Sequence, residues 1–154
     1  MTEQDLGTRI IALTAALYRV SCSLLSTEAD REDAVQAAIE KAWRKAKGLR
    51  DETKLKPWLV RILINECHNI GRRRKREIPV EALPERASRG EEDAHLLADT
   101  LLCLPPQVRI PLVLHYMEGF SILEIASMLN CPKGTVLSRL DRGRKQLKDL
   151  LSKE

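Results

Sequence analysis

Apolar residues recur at helical spacing along most of the chain, and no stretch alternates apolar and polar residues as a half-buried strand does. The first amphipathic segment predicts a helix from about residue 5 to about residue 25. Its apolar face comprises Ile10, Leu13, Leu17 and Leu24. The pattern therefore favours an all-α fold.

Two further helices are predicted in the first half of the chain. We expect Asp30 to cap the second helix, which continues to about Lys47 and ends before Gly48. The third helix begins near Lys56 and Pro57, because proline is tolerated in a first turn. The residues expected to be buried are Ala34, Val35, Ala38, Ile39, Ala42 and Trp43 in the second helix, and Leu55, Leu59, Ile62, Leu63 and Ile70 in the third.

The second half of the chain has four predicted helices. One spans about residues 92–103 and stops before two prolines, and the next spans about residues 107–118 and is closed by Gly119. Ser121 and Glu124 form the signature of a capping box, and a short turn at 130–131 leads to a last helix. The apolar positions of the last two helices are Ile122, Ile125, Ala126 and Leu129, and Val136, Leu140, Gly143 and Leu147.

Residues 77–91 contain Pro79, Pro84, Ser88 and Gly90 and show no helical pattern, so we interpret them as a flexible linker. The linker divides the chain into two small all-α domains, residues 1–76 and residues 92–154. Domains of this size are marginally stable alone, and we expect contacts with partners to stabilise them.

Composition agrees with packed helical domains. Of the 154 residues, 44% are hydrophobic and only 3% are aromatic, so Leu, Ile, Val and Ala must fill the core. A membrane span is not expected, because the sequence has no run of about 18 apolar residues. The first residues do not resemble a signal peptide, and we therefore expect the chain to be cytoplasmic.

Charge is unevenly distributed along the chain. Residues 28–40 carry five acids and one base, whereas residues 41–76 carry thirteen bases and three acids. Residues 81–99 are acidic again, and residues 133–148 hold six bases and one acid. Two basic blocks and two acidic blocks indicate contacts with a polyanion at two places, together with a protein partner. The alternative, solvated helix faces, does not account for five adjacent bases at 72–76.

Cysteine spacing and short motifs provide little support for an enzyme or a metal protein. Cys22, Cys67, Cys103 and Cys131 form no C-x-x-C pair, so we expect buried free thiols and no metal or other cofactor. The chain also lacks a phosphate-binding P-loop, a dinucleotide-binding motif and a nucleophile elbow.

The last two helices fit a helix-turn-helix, whose second helix enters the major groove of DNA, although an ordinary helical hairpin is the alternative. Asp141 would repel phosphate on the DNA-facing side, unless it pairs with Arg142 or Lys145 or accepts a hydrogen bond from a cytosine amino group. The residues opposite or flanking the apolar stripe are Gly134, Thr135, Ser138, Arg139, Asp141, Arg142 and Lys145.

The third helix combines residue types suited to unpaired bases. Asn65 and Asn69 lie one turn apart, Trp58 precedes them, and lysines lie upstream. Amides can bind base edges, an aromatic ring can stack on a base, and lysines can hold the backbone. Trp58 taken singly is also compatible with a place in the core.

In order along the chain, these segments resemble the bacterial sigma factors of the extracytoplasmic-function (ECF) group, in the sigma-70 family. DREDAVQ at 30–36 resembles the D-A-E-D-L-V-Q stretch of that group, and AWR follows at 42–44. WLVRI at 58–62, with Asn65, Asn69 and the arginines at 72–74, resembles its next segment. GFSILEIA at 119–126 and GTVLSRL at 134–140 resemble its region 4.

The resemblance implies a region 2 helical bundle and a region 4 helix-turn-helix that direct RNA polymerase core enzyme to promoters, with an anti-sigma factor as a further partner. It implies that the acidic helix binds core polymerase, the third helix and the loop before it bind the −10 element, and the last helix reads the −35 element. The core-binding residues implied are Asp30, Asp33, Gln36 and Glu40. The −10 residues implied are Lys54, Lys56, Trp58, Arg61, Asn65, Asn69, Arg72, Arg73, Arg74 and Arg76. The −35 residues implied are Lys133, Gly134, Thr135, Ser138, Arg139, Arg142 and Lys145.

The chain departs from the pattern of the group at several positions. Leu137 replaces the usual Lys, Gly143 replaces the usual Ala, and Ile39 stands where Phe is frequent. A glycine in a helix interior costs about 1 kcal/mol relative to alanine. Two other functions stay open from the sequence: a stand-alone helix-turn-helix regulator, which would not need the acidic second helix, and a nucleic-acid-processing enzyme, which would need a carboxylate or metal cluster.

Overall fold

The computed structural model describes residues 2–49, 51–77 and 99–152, with side chains to residue 74 in the first half. All regular structure in these ranges is helical. The chain forms two compact units, Met1–Ala82 and Leu83–Glu154, and the boundary falls inside the predicted linker. Glu77, the first residue of that linker, is instead the last residue of a helix, and residues 78–91 lie outside the described residues.

The first unit is a bundle of three helices. Helix α1 spans Glu3–Cys22, α2 spans Glu28–Lys45 and α3 spans Leu55–Glu77. Two short 3-10 helices, Ala46–Gly48 and Glu52–Lys54, lie in the connection between α2 and α3. All three predicted helices are therefore present.

The prediction that Asp30 caps α2 is wrong. The cap is Thr27, whose hydroxyl oxygen accepts a hydrogen bond from the Asp30 backbone N–H at 3.2 Å. Asp30 consequently lies in the first turn of the helix, where the helix dipole stabilises its negative charge.

Small residues of α2 allow it to pack against both neighbouring helices. Ala34, Ala38 and Ala42 are fully buried. Around them the other two helices bury Ile10, Leu17, Val20, Leu59, Leu63 and Ile64. Each such large side chain contributes about 1.5–3 kcal/mol on burial.

Trp43 is not in this core, contrary to the prediction. Its side chain is 47% exposed, and one edge of the ring lies near Gly7 of α1. Ile39 and Ile62 are half-buried rather than fully buried.

The second unit contains the end of a helix at 99–102, followed by α4, Pro106–Leu112, α5, Ile122–Leu129, and α6, Lys133–Ser152. Arg109 donates hydrogen bonds to the carbonyl oxygens of Leu102, at 3.3 Å, and Leu104, at 3.0 Å. These bonds satisfy carbonyls that the preceding helix leaves free where it ends before Pro105.

The predicted continuous helix over 107–118 is interrupted. Pro111 lies inside α4 and has no N–H to donate, and residues Val113–Met117 form a π-helical turn. The Glu118 N–H donates to the Val113 carbonyl at 3.1 Å, and Gly119 then adopts a φ of 76°.

The predicted helix-turn-helix is present in the second unit. The Ser121 hydroxyl accepts from the Glu124 N–H at 3.1 Å, and the Glu124 carboxylate accepts from the Ser121 N–H at 2.9 Å, which confirms the capping box. Asn130 ends α5 in the left-handed conformation, with φ 52°. The core under the two helices includes Leu114, Ile125, Val136 and Leu140.

Candidate nucleic-acid and protein interfaces

The exposed side of α2 carries three of the four predicted polymerase-binding residues. Asp33, Gln36 and Glu40 follow one another at helical spacing and are all exposed. The Gln36 amide donates to the Glu40 carboxylate at 3.5 Å. Asp33 lines a small cavity together with Asp30, Arg73 and Arg74, and its carboxylate makes no hydrogen bond or ion pair with another residue in the described ranges.

An apolar groove of 870 Å³ between α1 and α2 adjoins this acidic side. Ile11, Tyr18 and Ile39 line the groove, together with the polar residues Gln36 and Glu40. Apolar surface bordered by polar groups is typical of protein–protein interfaces. The sequence analysis missed the groove because it assigned Ile39 to the core and did not predict that Ile11 is exposed.

Asp30, the fourth predicted polymerase-binding residue, is buried and binds Arg74 of α3, which was predicted to bind DNA. Arg74 Nε lies 2.9 Å from Asp30 Oδ2, and Arg74 Nη2 lies 2.7 Å from Asp30 Oδ1. These hydrogen bonds hold the pKa of Asp30 below its usual value, against the effect of partial burial. Two residues predicted to bind different partners therefore bind each other.

Some of the other predicted −10 residues form an exposed row on α3. Arg61, Asn65 and Asn69 recur every four residues and are exposed, and Arg72 donates a hydrogen bond to the Asn69 side-chain oxygen. Arg73 is exposed as well. Lys54 is exposed, Lys56 and Trp58 are half-buried, and the side chain of Arg76 lies outside the described residues.

The loop before α3 is fixed by local polar contacts. The Asp51 carboxylate accepts hydrogen bonds from the Thr53 hydroxyl at 2.6 Å and the Thr53 N–H at 3.0 Å, which lower the pKa of Asp51. Glu52 forms an ion pair with Arg9 of α1 at 3.2 Å. These contacts hold the loop, which includes Lys54, close to the first turn of α3, which includes Lys56.

Glu66 lies among the buried residues of α3, and Lys41 of α2 forms an ion pair with it. A buried carboxylate is costly unless it is paired. The Lys41–Glu66 contact therefore joins α2 to α3.

Helix α6 presents the predicted −35 residues at the surface. Lys133, Gly134, Ser138, Arg142 and Lys145 are exposed, and Thr135 and Arg139 are half-buried. Basic and hydroxyl side chains at these positions can contact phosphates and base edges.

Asp141 pairs with Lys145, one of the alternatives considered for it from the sequence. Its Oδ2 lies 3.1 Å from Lys145 Nζ, and its Oδ1 lies 3.8 Å from Arg144 Nη2. Arg144 also donates to the Tyr116 hydroxyl at 2.7 Å. Neighbouring cations thus offset the negative charge of Asp141 on the exposed side of α6.

All four cysteines are free, as predicted, although only Cys67 is buried, and burial raises its pKa to about 12. Within the described ranges, no three His, Cys, Asp or Glu side chains are placed to hold a metal ion. In the same ranges, no helix is both long and apolar enough to span a membrane.

Two sequence-family models match the chain in the order of its two units. The model described as Sigma-70 region 2 matches residues 11–77, and the model described as Sigma-70, region 4 matches residues 94–147. A stand-alone helix-turn-helix regulator does not account for the first match, so that alternative is wrong.

Similar proteins come from several bacteria. The chain is 37% identical over 150 residues to the ECF RNA polymerase sigma factor SigE of Mycolicibacterium smegmatis, covering 89% of this chain and 58% of SigE. It is 35% identical over 139 residues to the ECF sigma factor SigM of Mycobacterium tuberculosis, covering 88% of this chain and 71% of SigM. The chain thus spans little more than half the length of the first of these relatives.

Solved structures agree with the sequence relatives. The sigma factor RpoE of Bartonella quintana, crystallised with the anti-sigma factor NepR, has a TM-score of 0.87 and 30% identity over 97% of this chain and 98% of RpoE. CnrH, solved with the cytosolic domain of CnrY, has a TM-score of 0.74 and 24% identity and covers 99% of this chain and 91% of CnrH, which indicates the shared fold. The chain therefore belongs to the ECF group of the sigma-70 family, whose members are transcription initiation factors and not enzymes.

Proposed function

We propose that this chain binds RNA polymerase core enzyme and directs it to promoters that it recognises at a −10 and a −35 element. The observation that most supports this is the placement of three exposed surfaces on three helices of a sigma factor. These are an acidic surface on α2, an amide and arginine row on α3, and a basic surface on α6.

Core polymerase binds the acidic surface of α2, defined by Asp33, Gln36 and Glu40. Asp33 has an exposed carboxylate with no partner in the described part of the chain, and the neighbouring groove supplies apolar contact area. A basic or amide-rich helix of the polymerase fits both features, because charge complementarity steers the encounter and apolar burial adds affinity.

The −10 element binds to α3 as separated bases rather than as intact duplex. Asn65 and Asn69 are exposed one turn apart and can form hydrogen bonds with base edges, and the half-buried Trp58 offers its accessible part for stacking. Arg61 and Arg73 contact phosphates. Binding of the unpaired strand then offsets the cost of unstacking, and no covalent step is involved.

Helix α6 binds in the major groove of the −35 element. The backbone N–H of Gly134, at the start of the helix, favours a phosphate, whereas the Thr135 N–H donates to the Pro132 carbonyl at 3.0 Å. Ser138, Arg139 and Arg142 lie further along the helix, where side chains reach base edges.

The chain works in the cytoplasm with polymerase and is regulated by an anti-sigma factor that covers these surfaces. RpoE of Bartonella quintana was crystallised with such a partner. Residues 1–76 and 92–154 act as the two binding modules, with residues 77–91 as the tether that allows them to reach separate promoter elements.

Run-off transcription with purified core polymerase, the full chain and a promoter library tests the proposed function. We expect transcripts from a subset of promoters that share two short elements, and none from core polymerase alone. A chain that binds duplex DNA unaided but yields no transcript with core polymerase would contradict the proposal. An Asp149→Ala variant, which changes an exposed acid of the second unit, is the matched control for variants of the acidic surface.

A further inference from the structure

Leu137 is an apolar side chain on the exposed face of α6. It is 47% exposed, whereas the apolar stripe of the same helix, at Val136, Leu140 and Gly143, is buried. Leu137 therefore does not fill the core. It lies three residues after Gly134 and four before Asp141, so it shares their face of the helix.

The neighbours of Leu137 along this face are charged or polar. Lys133 precedes it by one turn, and the Asp141–Lys145 ion pair begins one turn after it, with a 3.1 Å separation of Oδ2 and Nζ. Cations at 133, 139, 142 and 145 complement a phosphate backbone. A nucleic acid is therefore the partner that the surroundings of this leucine favour.

Leu137 is the fifth residue of α6, in the part of a recognition helix that meets base edges. A leucine side chain has no hydrogen-bond donor or acceptor, so it cannot satisfy the polar atoms that most base edges present in the major groove. Burying those atoms against it would leave them without partners, at a cost in free energy. The C5 methyl of thymine is the one major-groove feature that gains from apolar contact.

We propose that Leu137 is a specificity-determining residue that contacts the C5 methyl of a thymine in the −35 element. This inference rests on the proposed function of α6. It assigns a base preference to the position at which this chain departs from the usual lysine of its group.

The experiment replaces each thymine of the −35 element by deoxyuridine, which removes only the methyl group. Holoenzyme binding is measured on a promoter selected in the run-off library. We expect one position at which deoxyuridine weakens binding about fourfold, which corresponds to the loss of one buried methyl group. With Leu137→Ala, thymine and deoxyuridine at that position should bind equally.

Leu151→Ala is the matched control, because Leu151 is an exposed leucine at the far end of the same helix. This variant should retain the full sensitivity to deoxyuridine. If the wild-type chain shows no sensitive thymine, or Leu137→Ala keeps the wild-type ratio, the assignment of Leu137 is overturned while the function of α6 stands. If holoenzyme binds no −35 duplex at all, the proposed function of α6 fails with it.

Discussion

Gly143 lies where α6 crosses α4, and the close approach of the two helices explains why alanine is not found there. A Cβ at this position would lie 2.8 Å from Leu112 Cδ1 and 3.3 Å from the Val108 carbonyl oxygen. Leu112 is itself buried, and the carbonyl belongs to the backbone, so neither can move freely. Close packing therefore offsets the cost of about 1 kcal/mol that glycine carries in a helix interior.

Gly143→Ala should lower the stability of the second unit by about 1–2 kcal/mol, because overpacking outweighs the gain in helix propensity. Amide hydrogen exchange of α4 and α6 in the full chain measures the change. Gly134→Ala is the control, since a Cβ there meets no atom within 4 Å. The stability of the second unit in this variant should be unchanged or raised. A Gly143→Ala chain as stable as the control would show that the helices can separate without cost.

The Asp30–Arg74 pair is a positioning contact between the start of α2 and the last turns of α3. Its two hydrogen bonds connect residues 44 positions apart in the sequence. They hold the carboxyl pKa below its usual value. A carboxyl whose pKa is lower in the folded state stabilises that state above its unfolded pKa, near 3.9, and the stabilisation is lost as the pH falls through the folded pKa.

Asp30→Asn should therefore lower the free energy of unfolding of the first unit at neutral pH by about 1–2 kcal/mol, a modest value because the Arg74 side chain is half-exposed. The difference from wild type should shrink as the pH falls below about 4. Urea unfolding followed by tryptophan fluorescence reports on this unit, since Trp43 and Trp58 both lie in it.

Asp33→Asn, at an exposed carboxylate on the same helix, is the control for this measurement and should cost less at every pH. An Asp30→Asn deficit that stays constant from neutral to acid pH would mean that the ion pair is not its source.

At the scale of the helices, periodicity predicted α1, α2, α3, α5 and α6, because each buries one apolar stripe in its own unit. What it did not predict depends on tertiary contacts. Thr27 caps α2 although Asp30 fits the same local preference, and Trp43 lies at the surface although the sequence placed it on the buried side, one turn after Ile39. No local feature of the sequence indicates that Asp30 binds Arg74.

The interruption of the predicted helix over 107–118 was also missed, although in this case the sequence contained a local signal. Pro111 was visible in the sequence, yet the hydrophobic spacing around it continued without a break. The buried Val113 and Leu114 keep that spacing in contact with the core while the backbone widens into a π-helical turn. Candidate site residues on exposed helix faces could be named from the sequence, whereas the groove beside α2 could not, because two helices must meet to form it.

The acidic surface of α2 should bind core polymerase through Asp33. Asp33→Ala should weaken binding of the full chain to core enzyme by about 1–3 kcal/mol, the loss expected for a charged hydrogen-bonding partner. Titration of labelled chain with core polymerase measures this, with Asp149→Ala as the control. Equal affinity of the Asp33→Ala and wild-type chains would exclude this carboxylate from the interface.

The arginines of α3 and α6 should act differently on DNA. Arg73→Ala in the holoenzyme should weaken binding to all promoters alike and reduce the salt slope by about 1, because a phosphate contact carries no sequence information. Arg142→Ala should cost about 1–3 kcal/mol at the preferred −35 sequence and relax the preference for one base pair.

Binding of the two variants to a promoter panel at several salt concentrations separates these effects. The wild-type chain gives the reference slope and the reference preferences. Identical sequence preferences for the Arg73→Ala and Arg142→Ala chains would mean that phosphate contact and base recognition are not divided between α3 and α6.

For the molecule as a whole, the two units place chemically different surfaces on separate compact bodies. The first unit carries amides and an aromatic ring suited to splayed bases, and the second carries a helix suited to the duplex groove. The helices that carry each surface pack against other helices of the same unit. Defects in strand opening and in duplex recognition should therefore be separable by mutation.

Asn65→Ala should impair open-complex formation by holoenzyme and leave binding to the −35 duplex unchanged, because Asn65 is exposed on α3 and is distant in sequence from α6. Permanganate reactivity of thymines in the −10 region measures opening, and binding to a duplex that contains only the −35 element measures recognition. We expect opening to fall about five- to fiftyfold, as for the loss of one or two hydrogen bonds to a base.

Arg142→Ala should show the reverse pattern, with weaker duplex binding and with normal opening once the promoter is saturated with holoenzyme. Unchanged permanganate reactivity in Asn65→Ala would remove this amide from base capture, and a parallel loss of −35 binding would mean that the two units do not act independently.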